Sequence, residues 1–241
     1  MKRLLAVLVL AVAGNAWSQT LFSDPFDGSA IDSSKWNVNI PYSDSAVFLE
    51  NGEVVFRNGG SLITKNPLPA STTLSGSFQF TGSMWDRFSI NLRANGNLRF
   101  GTYGTYASDI YVEIQHTGGE SGGPIKNVTI SHDGVAHYDQ SQFGSSGRFE
   151  SNTLYNFKIE DTGLNINVYV DDFITPLVTA TTSAREGFFL AIGNREGGGN
   201  GSWISNGSEL RLESITIIPE PSSLSLLLVG GALLMAGRRR K

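Results

Sequence analysis

The chain has 241 residues, 28 of them glycine, with 40% apolar and 17% charged residues and a formal net charge of −4. It contains no cysteine, which excludes a disulfide scaffold, a thiol nucleophile, a Cys-zinc centre and an iron–sulfur protein. The charges form no long blocks of the kind that keep a chain disordered, and the glycines lack the period of three found in collagen.

Residues 1–18 read MKRLLAVLVLAVAGNAWS. Lys2 and Arg3 precede an apolar run from Leu4 to Ala13, and small residues follow at the −3 and −1 positions for cleavage after Ser18 or after Ala16. This is the layout of a secretory signal peptide. Ten apolar residues are too few to cross a bilayer as a helix. The body is therefore expected to begin at residue 19.

From 19 to 218 the pattern is strand-like. No stretch repeats at 3.6 residues, whereas period-2 alternation recurs. Strands are expected at 47–50 and 53–57, joined by Asn51-Gly52, and then around Phe78 and Phe80. Phe88, Ile90 and Leu92 alternate with Ser89, Asn91 and Arg93, and Ile110, Val112 and Ile114 alternate with Asp109, Tyr111, Glu113 and Gln115. A strand at 127–131 follows. Tyr155, Phe157 and Ile159 form a hairpin with Leu164, Ile166, Val168 and Val170 around the turn Asp161-Thr162-Gly163. Strands at 187–192 and 209–217 close the body. Turn signals at Asn95-Gly96 and Asp133-Gly134 separate the others. About ten to thirteen short strands in 200 residues predict an all-β, two-sheet antiparallel sandwich, each sheet burying one face and wetting the other.

The tail changes character. Ile218-Pro219-Glu220-Pro221 leads into an apolar stretch from Ser222 to Gly237, then Arg238-Arg239-Arg240-Lys241. Sixteen residues make a helix of about 24 Å, somewhat short of a bilayer core of about 30 Å. The basic cluster would stay cytoplasmic and leave the body outside. Removing both ends lowers Lys+Arg from 18 to 12 and Asp+Glu from 22 to 21, so the body carries a net charge of −9. That acidity disfavours nucleic acid as a partner.

The order Pro219-Glu220-Pro221, apolar helix, then Arg238, Arg239 and Arg240 resembles the PEP-CTERM sorting signal of Gram-negative bacteria. The resemblance implies a domain plan of signal peptide 1–18, body 19–218 and sorting signal 219–241. It also implies an exosortase-type processing partner, transient membrane anchorage, and a final place at the cell surface or in an extracellular matrix that often contains exopolysaccharide.

The body carries a resemblance of its own. Leu21-Phe22-Ser23-Asp24-Pro25-Phe26-Asp27-Gly28 with Lys35-Trp36, the hairpin 155–172, and the closing strand Leu210–Ile215 resemble concanavalin A-like jelly rolls, the fold of laminin G-like modules and family-16-type glycoside hydrolases. Those hydrolases carry a strand motif Glu-x-Asp-x-(x)-Glu. Its nearest counterpart is Asp109-Ile110-Tyr111-Val112-Glu113-Ile114-Gln115, in which Tyr111 replaces the middle carboxylate. The Cα atoms of Asp109 and Glu113 would lie about 13 Å apart along a strand, too far for the usual retaining geometry.

Catalysis by an altered acid/base set, a polar–aromatic binding face and a plain solvated strand face all stay open for this segment. On the binding reading, Tyr111 stacks on a sugar ring while Asp109, Glu113 and Gln115 exchange hydrogen bonds with hydroxyls. Trp203, at the end of the Gly-rich run 193–203, is a further ligand candidate; the run lacks the lysine of a phosphate loop. His132 and His137 flank a turn and read as surface residues. No GxSxG elbow is present. No cofactor is expected, except that the family resemblance allows a structural Ca²⁺ where first and last strands meet, with Asp24 and Glu213 as ligands. The expectation that results is an exported, non-catalytic, polysaccharide-binding sandwich. A glycan-active hydrolase or lyase is the first alternative, and a ligand-free structural surface protein the second.

Overall fold

A computed structural model describes residues 20–41, 44–69, 71–81, 87–94, 108–116, 127–132, 137–141, 143, 148–182, 189–194 and 209–219. For Ser108, Asp109, His132 and residues 137–140 it describes the backbone alone. The expected signal peptide, the tail beyond Pro219, Trp203 and the turns expected at 95–96 and 133–134 lie outside the described residues.

Among the described residues, fifteen strands form two antiparallel sheets. They are β1 (Phe22–Asp24), β2 (Trp36–Asn39), β3 (Ala46–Glu50), β4 (Glu53–Arg57), β5 (Ser61–Thr64), β6 (Thr72–Phe80), β7 (Arg87–Ala94), β8 (Ser108–Gln115), β9 (Val128–His132), β10 (His137–Ser141), β11 (Tyr155–Asp161), β12 (Asn165–Val170), β13 (Val178–Thr181), β14 (Phe189–Asn194) and β15 (Leu210–Pro219). The first sheet runs β13-β12-β11-β6-β15-β4-β3, with β1 also paired to β15. The second runs β10-β9-β8-β7-β14-β5-β2. The architecture is the expected jelly-roll sandwich. No helix among the described residues is long and apolar enough to cross a membrane.

Two local signals are realised as read. Asn51 and Gly52 adopt left-handed conformations, φ 56° and 82°, which suits a tight hairpin between β3 and β4 because such turns match the twist of the strands. Gly163 takes φ 89° in the β11–β12 turn. A third constraint was not visible in the sequence. β15 is irregular between Leu212 and Ser214, and a Cβ on the facing Gly76 would lie 2.2 Å from the Ser214 carbonyl oxygen. Only glycine fits there.

The core is aromatic where the sheets meet. Phe88 of β7 lies 5.3 Å from Phe78 and 5.2 Å from Phe157, ring centre to ring centre, so one ring of the second sheet locks two of the first. Trp36 is buried between Phe22 and Phe26, and its indole N–H donates to Asp24 Oδ2 at 2.7 Å.

Two expectations need correction. Alternation puts Arg93 on the polar side of β7, but its φ of 57° breaks the pattern. The side chain turns between the sheets, where Nε donates to Asp161 Oδ2 at 2.8 Å and Nη2 binds Oδ1. Both side chains are buried. Second, the outer face of the second sheet is not wetted at its centre. Ser89, Asn91, Tyr111, Glu113 and Ser131 are all buried there. Burial of so many polar groups is tolerated when they hydrogen-bond one another, and several of these do.

On the other sheet's outer face, Arg211 is ringed by Glu50, Glu53 and Glu209, and Arg57 also binds Glu209. Burial would push the Glu209 carboxyl up, but hydrogen bonds from Arg57 and then Arg211 outweigh it and hold it below its ordinary 4.5.

Arg93→Ala should destabilise the protein by about 3–5 kcal/mol, because it leaves a carboxylate buried and unpaired. Arg93→Met combined with Asp161→Leu should lose much less, and denaturant titration of the two variants compares them. Glu209 contributes stability that is present above the unfolded carboxyl value and lost as pH falls through the lowered folded one. The melting-temperature gap between the native protein and Glu209→Gln should therefore be full at neutral pH and close progressively below about pH 4.5.

Candidate functional site

Strand register gathers the site on the outer face of the second sheet. Gly193 of β14 pairs with Ser89 of β7, Ser89 with Glu113 of β8, and Glu113 with Thr129 of β9. One step along the strands, Ala191, Asn91, Tyr111 and Ser131 form the next row. Ile110, Val112 and Ile114 fill the core from the opposite side of β8, so period-2 alternation alone dictates that Tyr111 and Glu113 share the outer face.

Glu113 is the hub. Its Oε2 accepts the Tyr111 hydroxyl at 2.5 Å, and its Oε1 accepts Gln115 Nε2 at 2.5 Å and Arg87 Nη1 at 3.3 Å. Tyr111 Oη also lies 2.9 Å from Ser89 Oγ. A phenol has one proton to give. With that proton committed to Glu113, the Ser89 hydroxyl is the donor in its own contact. The chain therefore runs from Ser89 to Tyr111 to Glu113, with Gln115 and Arg87 converging on the same carboxylate. In each of these contacts Glu113 accepts.

Of the candidates read from sequence, Tyr111, Glu113 and Gln115 are brought together directly. The backbone of Asp109 sits on the same strand, while its side chain and Trp203 lie outside the described residues. Tyr111 does not stand as an exposed stacking platform; its ring is buried and its hydroxyl is engaged. Sequence reasoning missed Arg87, Ser89 and Ser131 as members. Ser131 Oγ is buried in the Tyr111 row with no hydrogen-bond partner among the described residues. Alternation puts Ser89 on the polar side of its strand, but only cross-strand register shows that it meets Tyr111.

The pair proposed for Ca²⁺ does not fit an ion. β1 does meet β15, as expected, with Asp24 opposite Ile215. Asp24 is occupied, however: Oδ2 accepts the Trp36 indole, Oδ1 accepts the Phe26 amide at 3.1 Å, and Lys35 Nζ lies 3.7 Å away. Glu213 is exposed at the β15 irregularity. No group of three or more His, Cys, Asp or Glu among the described residues is placed to hold a metal. His116 is buried against Phe80, with Nε2 3.2 Å from Ser151 Oγ. His132 and His137 face each other across the β9–β10 hairpin by backbone register.

No protein-family model matches the sequence, and no curated protein matches it. Solved structures do. A Mycobacterium tuberculosis protein described as an immunostimulatory antigen and pseudo beta-1,3-glucanase superposes with a TM-score of 0.57 at 17% identity, over 85% of this chain and 100% of its own. A Bacillus licheniformis beta-glucanase gives 0.58 at 15% identity, over 84% and 100%. A structure from work on endo-acting O-glycanases of the human gut microbiota gives 0.58 at 15% identity, over 84% and 100%. At these identities the likeness shows the fold: the described body is a jelly roll of the type seen in family-16 glycoside hydrolases.

Proposed function

We propose that the protein is exported, sorted to the cell surface or extracellular matrix of a Gram-negative bacterium, and binds an extracellular polysaccharide on the outer face of its second sheet without cleaving it. The observation that carries the non-catalytic reading is the state of Glu113. Two-carboxylate glycoside chemistry needs one group to give a proton to the leaving oxygen and a second carboxyl facing it. Here Glu113 accepts from Tyr111, Gln115 and Arg87, and a phenol stands at the middle position. The face is instead rich in oriented hydroxyl, amide and guanidinium groups, which is the equipment for recognising sugar hydroxyls. The glucanase-like fold supports a glycan as the ligand class. The tail supports the sorting route, with an exosortase-type enzyme as partner.

A polysaccharide panel screened for both binding and released reducing ends tests the first claim. Glu113→Gln is expected to weaken binding at least tenfold, about 1.4 kcal/mol, while native protein releases no sugar. Reducing ends released by native protein and lost in Glu113→Gln would establish a glycosidase instead. Absence of binding across the panel would leave a structural surface protein. For the tail, changing Pro219, Glu220 and Pro221 to alanine is expected to abolish surface delivery in the native host; unaltered display rejects the sorting claim.

A further inference from the structure

We infer that the end of the sandwich where β15 terminates is a membrane-facing surface, on which the domain stands against the non-cytoplasmic leaflet of the bilayer entered by its own tail. This rests on the anchoring half of the reading above and adds an orientation to it.

The first argument is the length of the connection. Ile217 is buried in the core and still paired with Leu74 of β6 and Phe22 of β1. Pro219 pairs with Thr72 as the last strand residue. The apolar tail begins at Ser222, so only Glu220 and Pro221 separate β15 from it. From Pro219 to Ser222 the chain takes three Cα steps, which reach at most about 11 Å even when fully extended. Pro219 and Pro221 also stiffen the connection. A domain tethered this closely cannot tumble above the bilayer; the end from which β15 leaves must meet it.

The second argument is what that end displays. Register places the β11–β12 turn beside the β15 terminus, because Asp161 pairs with both Thr72 and Ile166. Leu164 in that turn is 57% exposed, Ile218 is 40% exposed, and Leu21, whose amide donates to the Ile217 carbonyl at 2.9 Å, is 42% exposed. A cleft with Leu68, Pro69 and Phe189 in its wall, and the Arg93–Asp161 pair also lining it, lies between the sheets at the same end, beside Thr72 and Ile217. Lys65 is exposed just past β5, its amide bonded to the Lys35 carbonyl, and adds a cation suited to phosphate headgroups. Leucine and isoleucine side chains with a nearby lysine match the chemistry of the interfacial zone.

The opposite end offers an internal control. Asp171 donates its amide to the Asn156 carbonyl, which fixes the loop after β12 at the far end of the same sheet. Ile174 of that loop is 91% exposed. Exposure alone would favour Ile174 as a lipid contact, whereas the tether favours Leu164.

The absence of cysteine makes the test direct. Leu164→Cys and Ile174→Cys are made separately in the full chain, labelled with an environment-sensitive fluorophore and reconstituted into phosphatidylcholine/phosphatidylglycerol vesicles carrying headgroup-attached spin labels. The label at 164 is expected to be quenched several-fold more than the label at 174. A flexible Gly/Ser insert of about twelve residues between Pro221 and Ser222, with a span of about 20 Å, is expected to relieve quenching at 164 while flotation with vesicles persists. Equal quenching at both sites, or stronger quenching at 174, overturns the orientation and leaves the anchor standing. Protein that does not float with vesicles overturns the anchor and the orientation together.

Discussion

The position of the site depends on one ion pair that crosses between the sheets. A two-layer sandwich is held mainly by apolar contact, which is non-directional and tolerates sliding. Arg93 and Asp161 add direction: two parallel hydrogen bonds from a planar guanidinium to a carboxylate fix both distance and angle. Arg93 makes them from a left-handed conformation one residue before the end of β7, which is costly for a side chain other than glycine. β7 also carries Arg87 and Ser89, which meet Glu113 and Tyr111 on the other side of the sheet. The strand that is pinned to the first sheet at one end is thus the strand that sets the site at the other. Buried ion pairs are weak evidence for stability; this one is better understood as fixing register.

The outer face of the second sheet shows how a sandwich can keep a polar surface buried. Ser89, Tyr111 and Glu113 form a hydrogen-bonded chain in which each member has a partner. Low local dielectric strengthens such a chain and penalises any break in it. Ser131, buried in the row of Tyr111 without a hydrogen-bond partner among the described residues, is the exception on this face. A face organised this way presents fixed donors and acceptors instead of mobile ones, which lowers the ordering cost of recognition. The donors that orient the Glu113 carboxylate occupy both of its oxygens.

Much of the fold was legible because alternation reports burial. β8 and β11 were read almost to the residue: their inward Ile110, Val112 and Ile114, and Phe157 and Ile159, are core. β5 was missed because all four of its residues are buried, which erases the period-2 signal. β1, β2 and β13 have three or four residues each, too few for a pattern to show. Arg93 was misplaced because a single left-handed residue shifts the alternation by one, and nothing in the local sequence marks it. The site was half legible for a related reason. Residues two apart on one strand are visible in sequence, so Tyr111, Glu113 and Gln115 could be grouped, but their partners Arg87 and Ser89 come from the neighbouring strand. Cross-strand register is a tertiary fact. The Ca²⁺ expectation failed at the same level: the meeting of β1 and β15 was correct, but the carboxylate of Asp24 had already been claimed by the Trp36 indole.

Strand direction separates the ion pair between the sheets from the Glu113 cluster. Arg93 and Asp161 lie toward the end where β15 leaves, whereas Arg87, Gln115 and His116 lie toward the other. Ser89 is four residues before Arg93, so at about 3.3 Å per residue the Glu113 hub stands about 13 Å farther from that end. A short, proline-stiffened tether would hold the sandwich upright and present the hub to the side, clear of the headgroups. A flexible tether would let the acidic body, with its net charge of −9, drift away from an anionic leaflet by electrostatic repulsion. On the proposed anchorage, the closeness of β15 to the apolar tail would oppose that drift and would keep the face with Tyr111 and Glu113 at a set height above the bilayer.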